Sequence, residues 1–248
     1  MSLLGALALS LLMVSTACLS GVFGMAGGLI MIGVLLVVLP LPAAMVLHAV
    51  TQMASNGWRA ILWRGHIVWP TTLWYVVGCA LAVALWSLTL YVPDKALALL
   101  LLGVSPFIVR VIPESILPRT LGPAQMVGGG FVCQMLMLLS GVTGPLIDTL
   151  FLRSPMDRKQ IIATKAACQV FGHGFKLVYF GALIQEAGQV EPWLLALAVA
   201  SSMLGATLGK MLLEKLSEVQ FRLWSNRLIN AIAAWYIGYS VALLTGVA

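Results

Sequence analysis

The chain has 248 residues, 61% of them hydrophobic and 9% charged, and its mean hydropathy is +1.02. A soluble domain carries about a quarter charged residues, and so few polar groups cannot cover so much apolar surface. These numbers exclude a water-soluble globular protein, a disordered chain and a nucleic-acid binder, and leave membrane lipid as the solvent.

Apolar runs occupy residues 3–20, 27–39, 43–62, 67–91, 94–112, 123–139, 145–152, 159–184, 192–213 and 227–246. The first run ends at Ser15-Thr16-Ala17-Cys18, which faintly resembles a lipoprotein cleavage site. No Lys or Arg precedes it and Ser15 stands where such a site takes Leu, so the first helix is expected to be retained. A helix needs about 20 apolar residues to cross the hydrocarbon, and the runs 27–39 and 145–152 are too short. Each follows a longer run across a glycine-rich break, Ser20-Gly21-Val22-Phe23-Gly24 in one case and Ser140-Gly141-Val142-Thr143-Gly144-Pro145 in the other. These read as two helical hairpins that dip into the membrane and return, each followed by three full spans.

The net charge of +6 reports orientation rather than a polyanion partner, because basic residues collect in cytoplasmic loops. Arg59 with Arg64, Arg110 with Arg119, Arg153 with Arg158 and Lys159, and the segment from Lys210 to Arg227 mark cytoplasmic loops. The loops with Asp94 and Lys95, or with Glu186 and Glu191, belong outside, as do both termini. Three spans after each hairpin is an odd number, so the second half is inserted upside down. The expected architecture is an all-α polytopic membrane protein of two inverted repeats, residues 1–116 and 117–248.

The sequence repeats at an offset of 117 residues. His48, Thr51, Gln52, Ser55, Asn56 and Arg59 fall on one helix face, and Lys165, Cys168, Gln169, Gly172, His173 and Lys176 repeat that spacing. Gln52 matches Gln169, Arg59 matches Lys176, and Gly57 matches Gly174. A polar stripe is costly against lipid, so it turns toward a partner helix or a water-filled path. Inverted-repeat transporters place their substrate near the midplane between such halves, where Gln52 and Gln169 are expected to meet. Gln, Asn, Ser and Thr also serve as glue between helices, which is the plainer reading of the neutral residues.

Lys165 has no acidic residue three or four positions away, so an anion is its natural partner. A helix restarting after a break points free N–H groups and a positive dipole end into the gap. Gly24, Gly27 and Gly28, then Gly141 and Gly144, permit close backbone approach there. The substrate-binding set is therefore His48, Thr51, Gln52, Asn56, Lys165, Gln169 and His173 with those five glycines. Asp148 either caps the start of the second short helix or exchanges a coupling proton. Cys18, Cys79, Cys133 and Cys168 lie apart in apolar stretches without metal-type spacing and read as packing residues, so neither metal nor cofactor is expected. Trp69, Trp74, Tyr91, Trp193 and Trp224 fall near helix ends as interfacial anchors.

The segments Ser20-Gly21-Val22-Phe23-Gly24-Met25-Ala26-Gly27-Gly28-Leu29 and Arg64-Gly65-His66-Ile67-Val68-Trp69 resemble the TauE/SafE family of sulfite and organosulfonate exporter-like proteins. The resemblance runs through nearly the whole chain by way of the repeat. It implies a bacterial or archaeal plasma-membrane permease for sulfite, thiosulfate, sulfoacetate or related small anions. Ala26 replaces a glycine of the family pattern, Gly33 stands where a Pro is expected, and the motif at Gly141–Pro145 is shortened.

The function expected is a secondary transporter of a small anion, working by alternating access. No ATP-binding motif appears, and at about 100 mV the potential supplies about 2.3 kcal/mol for export of a monoanion. Two other classes compete. One is an intramembrane hydrolase pairing Ser105 or Ser140 with His173; the other is an assembly subunit that moves nothing. Both a monomer and a homo-oligomer fit the sequence.

Overall fold

The structure, a computed structural model, describes residues 3–23, 26–113, 120–151, 154–184, 191–213 and 218–246. Among them are ten α-helices and no strand: α1 (Leu3–Phe23), α2 (Ala26–Val38), α3 (Leu41–Leu62), α4 (Trp69–Ser87), α5 (Lys95–Val111), α6 (Pro123–Ser140), α7 (Gly144–Phe151), α8 (Arg158–Val178), α9 (Pro192–Leu213) and α10 (Glu218–Thr245). Every apolar run of the sequence has become one helix. Gly24, Arg119, Arg153 and Glu186 lie outside the described residues.

Local chemistry sets the helix ends. Pro occupies the first turn of α3, α4, α6 and α9, where its missing N–H would be unpaired in any case. Asp94, read from sequence as cancelling Lys95, caps α5 by accepting from the Leu97 amide at 2.8 Å. Asp157 and Gln160 form a reciprocal capping box at the start of α8. Gly141 ends α6 at φ +89°, the left-handed conformation that glycine tolerates. A π-helical turn, Tyr179–Leu183, extends α8, and the Tyr179 hydroxyl donates to the Tyr91 carbonyl at 2.9 Å.

Five helices, α1, α4, α6, α9 and α10, contain windows long and apolar enough to cross a bilayer. Leu73, Val77, Leu81 and Leu85 form an exposed apolar stripe along α4, the face such a helix turns to lipid. Trp69, Trp74, Tyr91, Trp193 and Trp224 are likewise exposed. In contrast α2 is apolar all round and buried over most of its length, with Leu29, Met31, Ile32, Leu35 and Leu36 packed among α3, α5 and Tyr236. Gly33 is what admits Tyr236: a Cβ there would strike the Tyr236 ring, whose hydroxyl donates to the Leu29 carbonyl.

Helix seams close on small residues. Gly205 and Gly209, one turn apart on α9, meet Val14, Cys18 and Gly21 of α1. Gly78 of α4 and Gly130 of α6 let those two backbones touch in the same way. The pairings also come in matched sets. Helix α1 packs on α9 as α6 packs on α4, α3 on α9 as α8 on α4, and α2 on α10 as α7 on α5. Phe23 and Ser140, which end α1 and α6, are 117 residues apart, as are Leu41 and Arg158, which start α3 and α8.

Helices α3 and α8 carry the polar stripes and cross antiparallel at the centre of this arrangement. Gly174 faces Met53, and Gly57 faces Val170. Those two contacts exchange under the offset of 117.

A candidate anion site at the crossing of α3 and α8

Most of the stripe residues are buried, with Arg59, Lys165 and Gln169 half-buried, and the structure sorts them. His48 on α3 is fully buried and donates through Nε2 to the carbonyl of Gly28, 3.0 Å away. A carbonyl can only accept, so Nε2 carries the hydrogen and Nδ1 keeps a lone pair. Lys176 of α8 donates to that Nδ1 at 2.7 Å and to the carbonyl of Gly141 at 2.9 Å. His173 stacks edge-on against His48 with ring centroids 5.4 Å apart, and its buried Nδ1 has no partner. Lys176, two imidazoles and the carbonyls of Gly28, in the first turn of α2, and Gly141, at the end of α6, therefore form one buried cluster. Lys176 is fully buried, and no carboxylate pairs with it among the described residues.

Lys176 was legible in the sequence only as the repeat mate of Arg59. Its signal was position: a second cation on the stripe, eleven residues beyond Lys165. Arg59 contacts the Ser20 carbonyl at 3.3 Å, in the last turn of α1, rather than lying in a loop. Each cation thus serves carbonyls at the end of the long arm of its own hairpin, the negative end of a helix dipole.

Lys165 departs from expectation. It forms an ion pair with Asp148 of α7, the two side chains being 20% and 34% exposed. Spacing along α8 does not reveal this partner, because Asp148 comes from α7, seventeen residues away. Asp148 consequently bonds a lysine rather than capping α7. Arg59 is the other cation within electrostatic reach of it.

The remaining expected residues divide by surroundings. Gln52 is buried against Gly28, where a Cβ would come within 3.2 Å of its amide oxygen. Gln169 is half-buried. The two glutamines are not level: at the register of the crossing they are separated by about 9 Å along the axis. Thr51 and Asn56 donate to carbonyls of their own helix, His48 at 2.8 Å and Gln52 at 2.9 Å. Gly27 is a close-packing position, since a Cβ would collide with Thr16 and Ser20 of α1. Gly144 opens α7 and is buried.

Ser105 and Ser140 donate to backbone carbonyls, those of Leu102 for the first and of Leu136 and Val142 for the second, and neither approaches His173 as a nucleophile would. All four cysteines are free, and Cys79, Cys133 and Cys168 are buried. Among the described residues no group of His, Cys, Asp and Glu has metal-binding geometry.

Comparison with curated proteins and with solved structures finds no match. The profile of the family described as sulfite exporter TauE/SafE matches residues 8–236, nearly the whole chain. Together with five helices long and apolar enough to cross a membrane, this match shows that the multi-pass membrane protein belongs to the sulfite exporter TauE/SafE family, membrane transporters of sulfur compounds.

Proposed function

We propose that the protein is a secondary transporter that moves a small sulfur oxyanion or organosulfonate, such as sulfite, thiosulfate or sulfoacetate, across the plasma membrane. Lys176 carries this reading. A fully buried ammonium without a carboxylate is costly unless something negative visits it, and intramembrane charges of this kind mark solute paths. The ligand would dock among Lys176, His48, His173 and Gln52, with the backbone of the two breaks close by.

Alternating access of two inverted halves, residues 1–116 and 117–248, fits the same frame. The matched helix pairings and the antiparallel crossing of α3 and α8 support it, because a two-fold axis lying in the membrane gives both. The breaks before α2 and α7 would then be the tips of re-entrant hairpins. Orientation follows the basic loops, with both termini outside. Lys159 and Lys210, from two of the segments read as cytoplasmic, each lie 5.8 Å from the ring of Trp63, beside a third.

Asp148 paired with Lys165 is the coupling element of this scheme. Its carboxylate holds the short arm α7 to α8, and an anion or a proton competing for either partner would release it.

The test is flux in proteoliposomes with sulfite, thiosulfate, sulfoacetate and a carboxylate control, under an imposed voltage and an imposed pH gradient separately. A voltage-driven flux of a sulfur oxyanion, lost in Lys176→Met, is expected. Wild-type flux in that variant would sink the site.

A further inference from the structure

Gln134 lies on α6, on the long arm of the second hairpin, with none of its surface exposed. Both its amide oxygen and its amide nitrogen lack a hydrogen-bond partner. Its amide oxygen points at α8, where a Cβ on Gly172 would come within 3.3 Å of it. Gly172 adjoins His173, whose Nδ1 is also buried and unpaired, and precedes Lys176 by one turn on the same face. Gln134 therefore faces α8 one turn before Lys176, and it belongs to none of the bonds described above.

Buried amides are rarely left open at both ends, and a membrane interior offers no bulk water to close them. A ligand that satisfies this one needs two complementary features. The Nε2 hydrogens call for an oxyanion, and Oε1 calls for a hydrogen that the ligand itself brings. The charge is limited as well. Lys176 and His48 share one N–H···N hydrogen bond, in which one nitrogen must accept, so the pair carries at most one positive charge. A singly charged solute matches that field better than a dianion.

Taking the Lys176 centre as the anion site, we propose that Gln134 is a specificity-determining residue. It selects a singly charged sulfur oxyanion that carries its own hydrogen-bond donor, an O–H or N–H next to the sulfonyl group. A dianion, or a monoanion bearing only an alkyl group there, leaves Oε1 facing nothing.

Two probes of nearly equal size isolate the effect. Sulfamate and methanesulfonate are both monoanions at neutral pH and differ in an amino group against a methyl. Their dissociation constants are measured by calorimetry on the purified full chain in lipid nanodiscs. Wild-type protein is expected to bind sulfamate at least about tenfold more tightly, the ratio one buried hydrogen bond gives. In Gln134→Met the two constants should fall within about twofold of each other. In Gln134→Asn, which retracts the amide by one methylene and keeps its polarity, the ratio should be intermediate.

Equal binding by the wild type overturns the proposal, as does an undiminished ratio in Gln134→Met. If Gln134→Met does not fold, the wild-type ratio and Gln134→Asn decide. Lys176→Met, measured alongside, should bind neither probe. Retained binding there removes the Lys176 reading on its own, whereas loss there with an unchanged ratio in the Gln134 variants removes only the role of Gln134. Failure of the wild type to bind either probe also overturns the selectivity, and the site itself then stands or falls on sulfite flux.

Discussion

Two polar centres lie on either side of the α3–α8 crossing, and they differ in the charged groups they hold. At one, Lys176 meets His48 and the Gly141 carbonyl, with no acid. About 16 Å away along α8, eleven residues back, Lys165 meets Asp148 while Arg59 holds the end of α1. The offset of 117 that relates His48 to Lys165 and Lys176 to Arg59 also relates Met31 to Asp148. Met31 is fully buried in α2. The short arm of one hairpin thus brings a thioether where the other brings a carboxylate. At positions matched by the offset, His48 and Met31 stand where the second centre has the Lys165–Asp148 ion pair.

The largest effect is expected from Lys176→Met. Losing a buried charge-assisted contact to a solute costs about 2–5 kcal/mol, so flux should fall roughly a hundredfold or more. The melting temperature should stay close to that of the wild type, because removing a buried charge offsets the two lost hydrogen bonds. A variant that is inactive because it is unfolded would count against the comparison.

Met31→Asp gives the first hairpin the acid it lacks. Transport affinity for the anion should drop by roughly tenfold as the new carboxylate competes for Lys176. Unchanged KM would mean that Met31 does not face that centre. Asp148→Asn makes the opposite change at the other centre. The pair is partly exposed, so stability should move by no more than about 1 kcal/mol. Flux should change severalfold and lose its response to an imposed pH gradient. If the response persists, Asp148 carries no coupling proton.

Arg59→Lys is the mildest. Its one 3.3 Å bond to the Ser20 carbonyl can be made by an ammonium, and flux should remain within about twofold of the wild type. A loss as large as that of Lys176→Met would show the two cations to be equivalent and dissolve the distinction.

Hydropathy was enough to find all ten helices, because lipid and the buried interior both demand apolar runs and the breaks fall at Gly and Pro. The two stripes were legible through period and repeat. What periodicity cannot supply is which residues on a stripe meet across helices. His48 and Lys176 are 128 positions apart, and their contact depends on where α3 and α8 cross. Asp148 was misread for the same reason, since its partner comes from the fold of the hairpin. Thr51 and Asn56 carried the right polarity, but a short side chain inside a helix readily bonds a carbonyl one turn back, and both do so. Gln134 gave no signal at all, being an isolated amide in the apolar middle of α6 without a repeat mate of its kind: residue 17 is Ala.

Two of the three acceptors bonded at the Lys176 centre are main-chain atoms, the carbonyls of Gly28 and Gly141. No ordinary substitution deletes a carbonyl. A systematic replacement of side chains would therefore report only part of the cradle and would rank the glycines by steric damage instead. Their contribution becomes visible through chemistry on the chain itself. Replacing the peptide bond after Gly28 or Gly141 by an ester weakens that carbonyl as an acceptor without touching any side chain. It also follows that the side chains of this centre can be exchanged while the two oxygens stay where the first turn of α2 and the end of α6 hold them.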